Sequence, residues 1–180
     1  MGNFSVEERA TLRNSELLRE LSDKNFNTFI NLSHRTTYQA GENLLEEGKR
    51  SDYLYILLSG TVALYKMSGM KQQLLDRLSK GQSIGEMRVI KNQPCSLTVT
   101  TSSPVVVLCI LLSKLRELEY NQCYESILDG IINILTYRLS HTNRLAASGV
   151  SHKKKLLNHI LLMTGGIVVF LCGLAVGYFI

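Results

Sequence analysis

The feature that most constrains the fold is a series of short β-rich segments separated by single glycines. From His34 onward, aliphatic, β-branched and aromatic residues occur in short stretches, and a glycine interrupts them roughly every 8 to 12 residues. Short strands joined by tight turns are typical of a small antiparallel roll or barrel. The interrupting glycines are Gly41, Gly48, Gly60, Gly69 and Gly81.

Two segments indicate the strands of this roll most clearly. Residues 52–65 contain two apolar stretches on either side of Ser59-Gly60, a short turn that suits glycine because glycine readily adopts positive φ. Residues 104–112 are a continuous apolar run, which predicts a strand that is buried on both faces. We therefore expect a mainly β domain with at least one central strand.

Helical patterns flank the β-rich region on both sides. Residues 6–21 combine spaced apolar residues with many charges and predict one helix, and Ser22-Asp23 is suited to cap a second helix that carries Phe26 and Phe29. After the last strand, apolar residues recur at helical spacing over about four turns and predict a long helix. These residues are Tyr124, Ile127, Leu128, Ile131, Ile132, Leu135 and Leu139.

Residues 160–180 carry no charged side chain. A helix of that length is about 30 Å long, which matches the hydrocarbon core of a bilayer. A buried core helix is the alternative, but such a helix normally keeps a polar face and this segment has none. Lys153, Lys154 and Lys155 come just before it, so the positive-inside rule places the N-terminal domain in the cytoplasm. The pattern predicts a single-pass tail anchor over residues 156–180.

Small residues lie on one face of this predicted membrane helix. Gly166, Gly173 and Gly177 are seven and four residues apart, and the last two form a GxxxG pair. Glycines at that spacing let two helices approach closely, which favours self-association in the membrane. The alternative is that glycine is simply common in membrane helices.

The distribution of charge argues against a nucleic-acid partner. Of the formal net charge of +5, residues 1–152 contribute a surplus of two, and the lysine run contributes the other three. The basic surplus therefore lies beside the predicted membrane helix and does not form a broad surface. The predicted parts of the chain are N-terminal helices (1–33), a β roll with the long helix (34–145), a basic linker (146–155) and the tail anchor (156–180).

The sequence contains no arrangement typical of a metal site, a disulfide framework or an active site. Cys95, Cys109, Cys123 and Cys172 are widely spaced without a CxxC pair, and the four histidines are scattered. There is no nucleophile–base pair, no pair of carboxylates at useful spacing and no Gly-rich phosphate loop. We expect a protein that is not an enzyme and whose thiols are reduced.

Four motifs follow one another between residues 15 and 145: Tyr38-Gln-Ala-Gly41-Glu-Asn-Leu, Glu47-Gly48, Tyr53-Leu-Tyr-Ile-Leu-Leu-Ser-Gly60 and Gly81-Gln-Ser-Ile-Gly-Glu86. In their order and spacing they resemble the cyclic-nucleotide-binding domain family. The resemblance implies a catabolite-activator-like antiparallel jelly roll, also called a double-stranded β-helix, with helices before and after it. It also implies that a cyclic nucleotide is a possible ligand.

Residues 81–99 resemble the phosphate-binding cassette of that family. The resemblance assigns Glu86 to the ribose hydroxyl, and it assigns backbone N–H groups of a short helix beginning near Gly85 to the phosphate. In the family an arginine after a proline binds the phosphate through charge-assisted hydrogen bonds. Here Cys95 follows Pro94, so the cassette is degenerate. The candidate ligand-binding residues are Gly85, Glu86, Met87, Arg88, Cys95 and Ser96.

Arg88 is the candidate replacement for the missing cation. It lies two residues after Glu86, and it either turns toward the ligand or points to solvent; we expect the solvent orientation. Ser96 offers only one hydrogen bond to a phosphate. Loss of a partly buried charged hydrogen bond costs about 2 to 5 kcal/mol, which lowers affinity roughly 30-fold to several thousand-fold.

These observations leave three hypotheses for function. The first is a membrane-anchored cytoplasmic module with lost or altered ligand binding that acts through protein contacts. The second is a genuine cAMP or cGMP sensor that signals from the membrane. The third, a transcription regulator, is disfavoured because seven residues between Leu145 and Lys153 are too few for a helix-turn-helix. We favour the first, as a homodimer with a further protein partner whose identity the sequence does not indicate.

Overall fold

Eight strands form two four-stranded sheets in the described part of the chain, which comprises residues 4–90 and 93–147 of a computed structural model. In chain order they are β1 (His34–Tyr38), β2 (Asn43–Leu45), β3 (Tyr53–Ser59), β4 (Val62–Ser68), β5 (Lys71–Leu78), β6 (Ser83–Ile84), β7 (Thr98–Thr101) and β8 (Val105–Leu111). One sheet has the order β1-β8-β3-β6 and the other β2-β7-β4-β5, with antiparallel pairing throughout. The predicted antiparallel jelly roll is therefore confirmed.

Helices precede, interrupt and follow the roll. They are α1 (Val6–Arg13), α2 (Asp23–Leu32), α3 (Glu86–Ile90), α4 (Leu112–Leu115) and α5 (Asn121–Ala147), with a 3-10 turn at Leu118–Tyr120. The helix predicted to start at Ser22-Asp23 is confirmed as α2. Its N-cap is Ser22, whose hydroxyl accepts a hydrogen bond from the backbone N–H of Asn25 at 3.2 Å.

The central strand β8 is buried on both faces, as the apolar run predicted. Val107 and Cys109 face the space between the two sheets, where they pack with Leu57. Leu108 and Ile110 face the other way and belong to a second apolar cluster, which the helices cover. The strand thus joins the interior of the roll to the helical layer, and both sides of it contribute to the hydrophobic core.

The two strands beside Gly60 belong to different sheets. β3 pairs with β6 and β8, whereas β4 pairs with β5 and β7, so the turn between them is a corner and not a hairpin. Gly60 has a φ of 81°, and a Cβ at this position would collide with the carbonyl oxygen of Pro104 and lie 2.7 Å from Val105 Cγ1. Glycine is required here for both its conformation and its size.

The prediction of one helix over residues 6–21 is wrong, because α1 ends at Arg13. Polar side chains beyond that point bond to the last turn of the helix. The amide of Asn14 donates to the carbonyl oxygen of Ala10 at 2.9 Å, and the hydroxyl of Ser15 donates to that of Leu12 at 2.7 Å. Such local bonds compete with continued helix formation. The leucines that follow are buried from a turn, so their spacing was not evidence for a helix.

The apolar stripe of α5 faces the helical layer. Its fully buried residues are spaced by three or four positions, as expected for one face of a helix. Ile132 was predicted to belong to this stripe, but it is 54% exposed. It lies about 100° around the helix from Ile131, which is buried. The buried residues are Cys123, Ile127, Ile131 and Ile134.

α5 crosses the turn between α1 and α2 at contact distance. A Cβ added to Gly130 would lie 3.0 Å from the carbonyl oxygen of Leu17. One turn earlier, the amide of Asn25 donates to the hydroxyl of Ser126 at 2.8 Å and to the carbonyl oxygen of Gln122 at 3.3 Å. Close packing and hydrogen bonds together fix α5 against α2 and the turn before it.

Among residues 4–90 and 93–147, no helix combines the length and the apolar character needed to cross a bilayer. The predicted tail anchor, including Gly166, Gly173 and Gly177, lies outside the described residues. In the same described ranges, no cluster of three His, Cys, Asp or Glu side chains is arranged to hold a metal ion.

Replacing Gly60 with alanine is expected to lower the free energy of unfolding by about 3 kcal/mol or more, because alanine adds both positive-φ strain and a collision with backbone atoms. Gly41→Ala is the matched control. Gly41 has a φ of 86°, but nothing lies within 4 Å of an added Cβ, so this variant should lose only about 1 to 2 kcal/mol. Urea unfolding measures both values, and equal losses would contradict the importance of the corner contact.

Candidate ligand-binding site

A tight turn at Gly85 places the start of the cassette helix α3 next to strand β3. β6 pairs with β3 through Ile84 and Tyr55, and the chain then reverses at Gly85, which has a φ of 91°. A Cβ at Gly85 would lie 2.8 Å from the carbonyl oxygen of Tyr53, so only glycine allows this approach. The turn sets the start of α3, which begins at Glu86 as the cassette motif predicted.

The side chains of α3 divide between a cavity and the helix-covered core. Glu86 is only 2% exposed and lines the cavity, together with the half-buried Met87. Val89 is also 2% exposed but packs in the apolar cluster beneath the helices. The short helix therefore presents a carboxyl group to the cavity and is held in place by an apolar side chain on its other face.

Arg88 does not point to solvent, contrary to our prediction. Its side chain is 9% exposed, and three acceptors hold its guanidinium. Nε donates to the carbonyl oxygen of Ser51 at 2.9 Å, Nη1 to that of Gln93 at 3.1 Å, and Nη2 to Oδ1 of Asp52 at 2.7 Å. The planar fork of arginine suits such a set of acceptors, and the loop before β3 supplies two of them. Sequence spacing alone does not indicate these partners.

Cys95 lies on the cavity wall formed by the segment after α3. Its N–H donates to the carbonyl oxygen of Lys49 at 2.8 Å, and the N–H of Gly48 donates to its carbonyl oxygen at 2.8 Å. Burial raises the pKa of the Cys95 thiol above its ordinary value, although the nearby Arg88 guanidinium acts to lower it. The thiol is therefore uncharged at neutral pH.

Lys66 fixes the next residue of this wall. Its ammonium donates to the carbonyl oxygen of Ser96 at 2.9 Å and forms an ion pair with Glu47 at 2.6 Å. Glu47 in turn accepts a hydrogen bond from the N–H of Met67 at 2.9 Å. We did not identify Lys66 from the sequence, because a lysine on a strand has no motif that would distinguish this role.

All six predicted ligand-binding residues line one cavity, with a volume of about 90 Å³. That volume is small beside the roughly 300 to 1,000 Å³ of typical small-molecule sites. Most of the other lining residues are aliphatic, and they come from both sheets of the roll. The predicted residues are Gly85, Glu86, Met87, Arg88, Cys95 and Ser96, and the aliphatic ones are Leu45, Leu64, Leu78, Ile84, Leu97 and Val99.

The cassette helix is also connected to α4 and α5. Nη2 of Arg116, at the end of α4, donates to the carbonyl oxygens of Val89 at 3.0 Å and Arg88 at 3.4 Å. The hydroxyl of Tyr124 donates to Val89 at 3.4 Å, and the Arg116 guanidinium lies 5.8 Å from the Tyr124 ring centroid. Hydrogen bonds therefore link α3 directly to the end of α4 and to the first turn of α5.

Comparison with known proteins agrees with this architecture. Residues 35–119, a little under half of the chain, match the family described as "Cyclic nucleotide-binding domain". The cAMP-dependent protein kinase regulatory subunit of Debaryomyces hansenii is 28% identical over 109 residues, which are 61% of this chain and 23% of that protein. The cAMP-activated global transcriptional regulator of Pasteurella multocida is 30% identical over 124 residues, 68% of this chain and 58% of that protein.

A solved structure shows the same fold. The cyclic nucleotide-binding domain from Methylobacillus flagellatus superposes with a TM-score of 0.66 and 22% sequence identity, covering 81% of this chain and 84% of that chain. By contrast, the matched segment spans less than two thirds of either curated relative. The likeness therefore concerns a domain and not the complete architecture of those proteins.

Replacing Arg88 with glutamine is expected to lower the free energy of unfolding by about 2 to 4 kcal/mol, because two backbone carbonyls and one carboxylate lose a charged donor. Asp52→Asn is the control. Asp52 is 64% exposed, so removing its charge alone should cost less than about 1 kcal/mol. Denaturant titration measures the difference, and equal effects would mean that the backbone acceptors contribute little.

Proposed function

We propose that this protein is a regulatory module of the cyclic-nucleotide-binding fold with weakened or altered binding of cAMP and cGMP, because residues 35–119 match the model of that domain family. It acts through contacts with other proteins and not through catalysis. The observation that carries the proposal is the half-buried, uncharged thiol of Cys95 at the cassette position where the family resemblance calls for an arginine.

The hydrogen bonds of the basic side chain at the cavity support the proposal that a phosphate binds only weakly. Among the described lining residues, Arg88 is the one basic side chain, and its three hydrogen bonds hold it to Ser51, Asp52 and Gln93. A cyclic phosphate would have to break some of those bonds before it gained an arginine. The net gain is therefore smaller than from an arginine at position 95 that has no competing acceptors.

A genuine cyclic-nucleotide sensor is the second candidate, and the position of Arg88 favours it. The residue lines the cavity, and its charge acts on the Cys95 thiol. Its partner Asp52 is 64% exposed, so water can solvate that carboxylate if the guanidinium turns away. In this alternative Arg88 turns to the phosphate and replaces the family arginine.

α5 is the proposed route from the cavity to a partner. Arg116 and Tyr124 connect α3 to the start of this helix, and farther along it Ile132 is 54% and Tyr137 is 71% exposed. We propose that the part of α5 that carries these exposed side chains packs on a second copy of the chain. An apolar side chain that is exposed in one subunit would be buried in such a homodimer.

The proposed location is the cytoplasmic face of a membrane. The charge-free segment 160–180 would form the single span, and Lys153, Lys154 and Lys155 would stay on the cytoplasmic side. Two anchored copies meet more often than two free ones, which raises their effective concentration for pairing.

Calorimetric titration of the full chain in detergent micelles tests the ligand proposal. We expect cAMP and cGMP to bind more weakly than micromolar, and Cys95→Arg to raise affinity by about 30-fold or more, because it restores a charged hydrogen bond to the phosphate. Cys95→Ser, a matched change without charge, should have little effect. Sub-micromolar binding by the unaltered protein would reject the proposal and favour the sensor, and its loss in Arg88→Gln would identify the cation.

A membrane two-hybrid assay tests the anchor and its self-association together. Removing residues 156–180 should abolish the signal, because the chain no longer enters the membrane. Gly173→Ile should lower the signal several-fold, because a large side chain separates the two helices, whereas Ala175→Ile, on another face of the helix, should retain it. A signal unchanged by Gly173→Ile would exclude the glycine face as the contact.

A further inference from the structure

We propose that the hairpin formed by β4 and β5 is a lipid contact, and that its tip enters the headgroup region of an anionic bilayer. The hairpin tip comprises residues 65–74, which are the end of β4, the turn and the start of β5. The proposal rests on the proposed location of the domain at a membrane, and it assigns the surface that meets the lipid. It does not involve the cavity or a nucleotide.

Apolar side chains form one exposed patch at the hairpin tip. Tyr65 and Met67 are two positions apart in β4, so both point away from the side that buries Leu64 inside the roll. Leu74 pairs with Tyr65 and extends the patch onto β5. Met67 is 43%, Leu74 is 39% and Met70, in the turn, is 99% exposed. The helices cover the other sheet, through β3 and β8, and leave this patch open to a partner.

The charge at the hairpin tip is positive. Residues 65–74 contain Lys66 and Lys71 and no acidic residue. Lys66 is paired with Glu47 at 2.6 Å, whereas Lys71 is exposed and takes part in none of the ion pairs among residues 4–90 and 93–147. The cytosolic leaflet of a membrane carries anionic lipids, which attract lysine near its surface. An apolar patch beside an exposed lysine therefore suits an anionic lipid surface.

The chain between the domain and the predicted membrane span keeps the hairpin tip within reach of the bilayer. Twelve residues, 148–159, separate the end of α5 from the charge-free segment. An extended chain of that length spans at most about 40 Å, which is about the diameter of a domain of this size. The domain is thus held against the lipid, and its exposed apolar patch determines which side makes the contact.

A second copy of the chain fits the hairpin tip less well than a bilayer does. Specific protein interfaces bury about 800 Å² on each partner. Three exposed apolar side chains around a protruding turn supply only part of that area. Lipid contact has no such requirement, because the tip adds a weak interaction to an anchor that already holds the chain at the membrane.

Tryptophan fluorescence in vesicles tests the lipid contact, because the sequence contains no tryptophan and Met70→Trp introduces a single reporter at the hairpin tip. The full chain is reconstituted into phosphatidylcholine and phosphatidylserine vesicles with brominated acyl chains, and bromine quenches tryptophan only at close range. We expect the brominated lipid to lower the emission at least about twofold, and to lower it less without phosphatidylserine. Adding Lys71→Glu should weaken the quenching, whereas Lys114→Glu, at an exposed lysine of α4, should not.

Ala40→Trp is the matched control for position. Ala40 is exposed in the turn before β2, and its neighbour Gly41 donates its N–H to the carbonyl oxygen of Thr101. Thr101 pairs with Val62, which lies at the other end of β4 from the hairpin turn. The two tryptophans are therefore separated by about 20 Å along the roll, and we expect the control to be quenched far less.

Each other result contradicts the lipid contact. Equal quenching of the two tryptophan variants would mean that the hairpin tip is not the surface that meets the lipid. A shift of the Met70→Trp emission to shorter wavelength without quenching by bromine would indicate a protein contact. If the full chain floats with the vesicles but Met70→Trp is not quenched, the proposed location stands and the lipid contact fails. If the full chain does not float with them, both fail.

Discussion

The guanidinium of Arg88 joins the segments that surround the cavity. One of its nitrogens reaches the segment after α3 and the other two reach the loop before β3, so the two sides of the cassette are held together within one protein chain. In a site that relies on its ligand for this connection, the ligand's charge would draw the two sides together. Here the connection is internal, and the cation that makes it has little capacity left for an anion.

The internal connection also explains why the cavity is small. α3 is pressed against the roll by the buried side chain of Val89, and the segment after it is tied to the loop at Gly48 and Lys49 by two backbone hydrogen bonds. Neither contact requires a bound molecule. The site is thus preformed around aliphatic side chains and one carboxyl group.

Much of the fold was predictable because its determinants are local. The glycine spacing indicated short strands, the apolar run 104–112 indicated a strand buried on both faces, and Ser22 marked a helix start, and the structure confirms each of these. The incorrect prediction of one helix over residues 6–21 has one local cause and one tertiary cause. α1 stops early because Asn14 and Ser15 bond back to it, and the leucines beyond it are buried from a turn.

The candidate ligand-binding site was likewise predictable only in part. Motif spacing identified six residues that do line one cavity, but it did not reveal that the Arg88 side chain is buried. The acceptors of that arginine are the backbone carbonyls of Ser51 and Gln93 and the carboxylate of Asp52. Backbone carbonyls carry no sequence signature, and their positions depend on how distant loops meet. The orientation of the Arg88 side chain therefore depends on the folded chain and does not follow from the motif.

The glycine at position 130 fixes more than a packing distance. Its missing methyl allows α5 to lie on the carbonyl oxygen of Leu17, and this contact favours the rotational phase in which Gly130 faces the turn. Inserting a single residue after Gly130 would turn the rest of the helix by about 100° relative to that contact. The direction in which the C-terminal end of α5 projects from the roll therefore depends on the absence of a side chain at position 130.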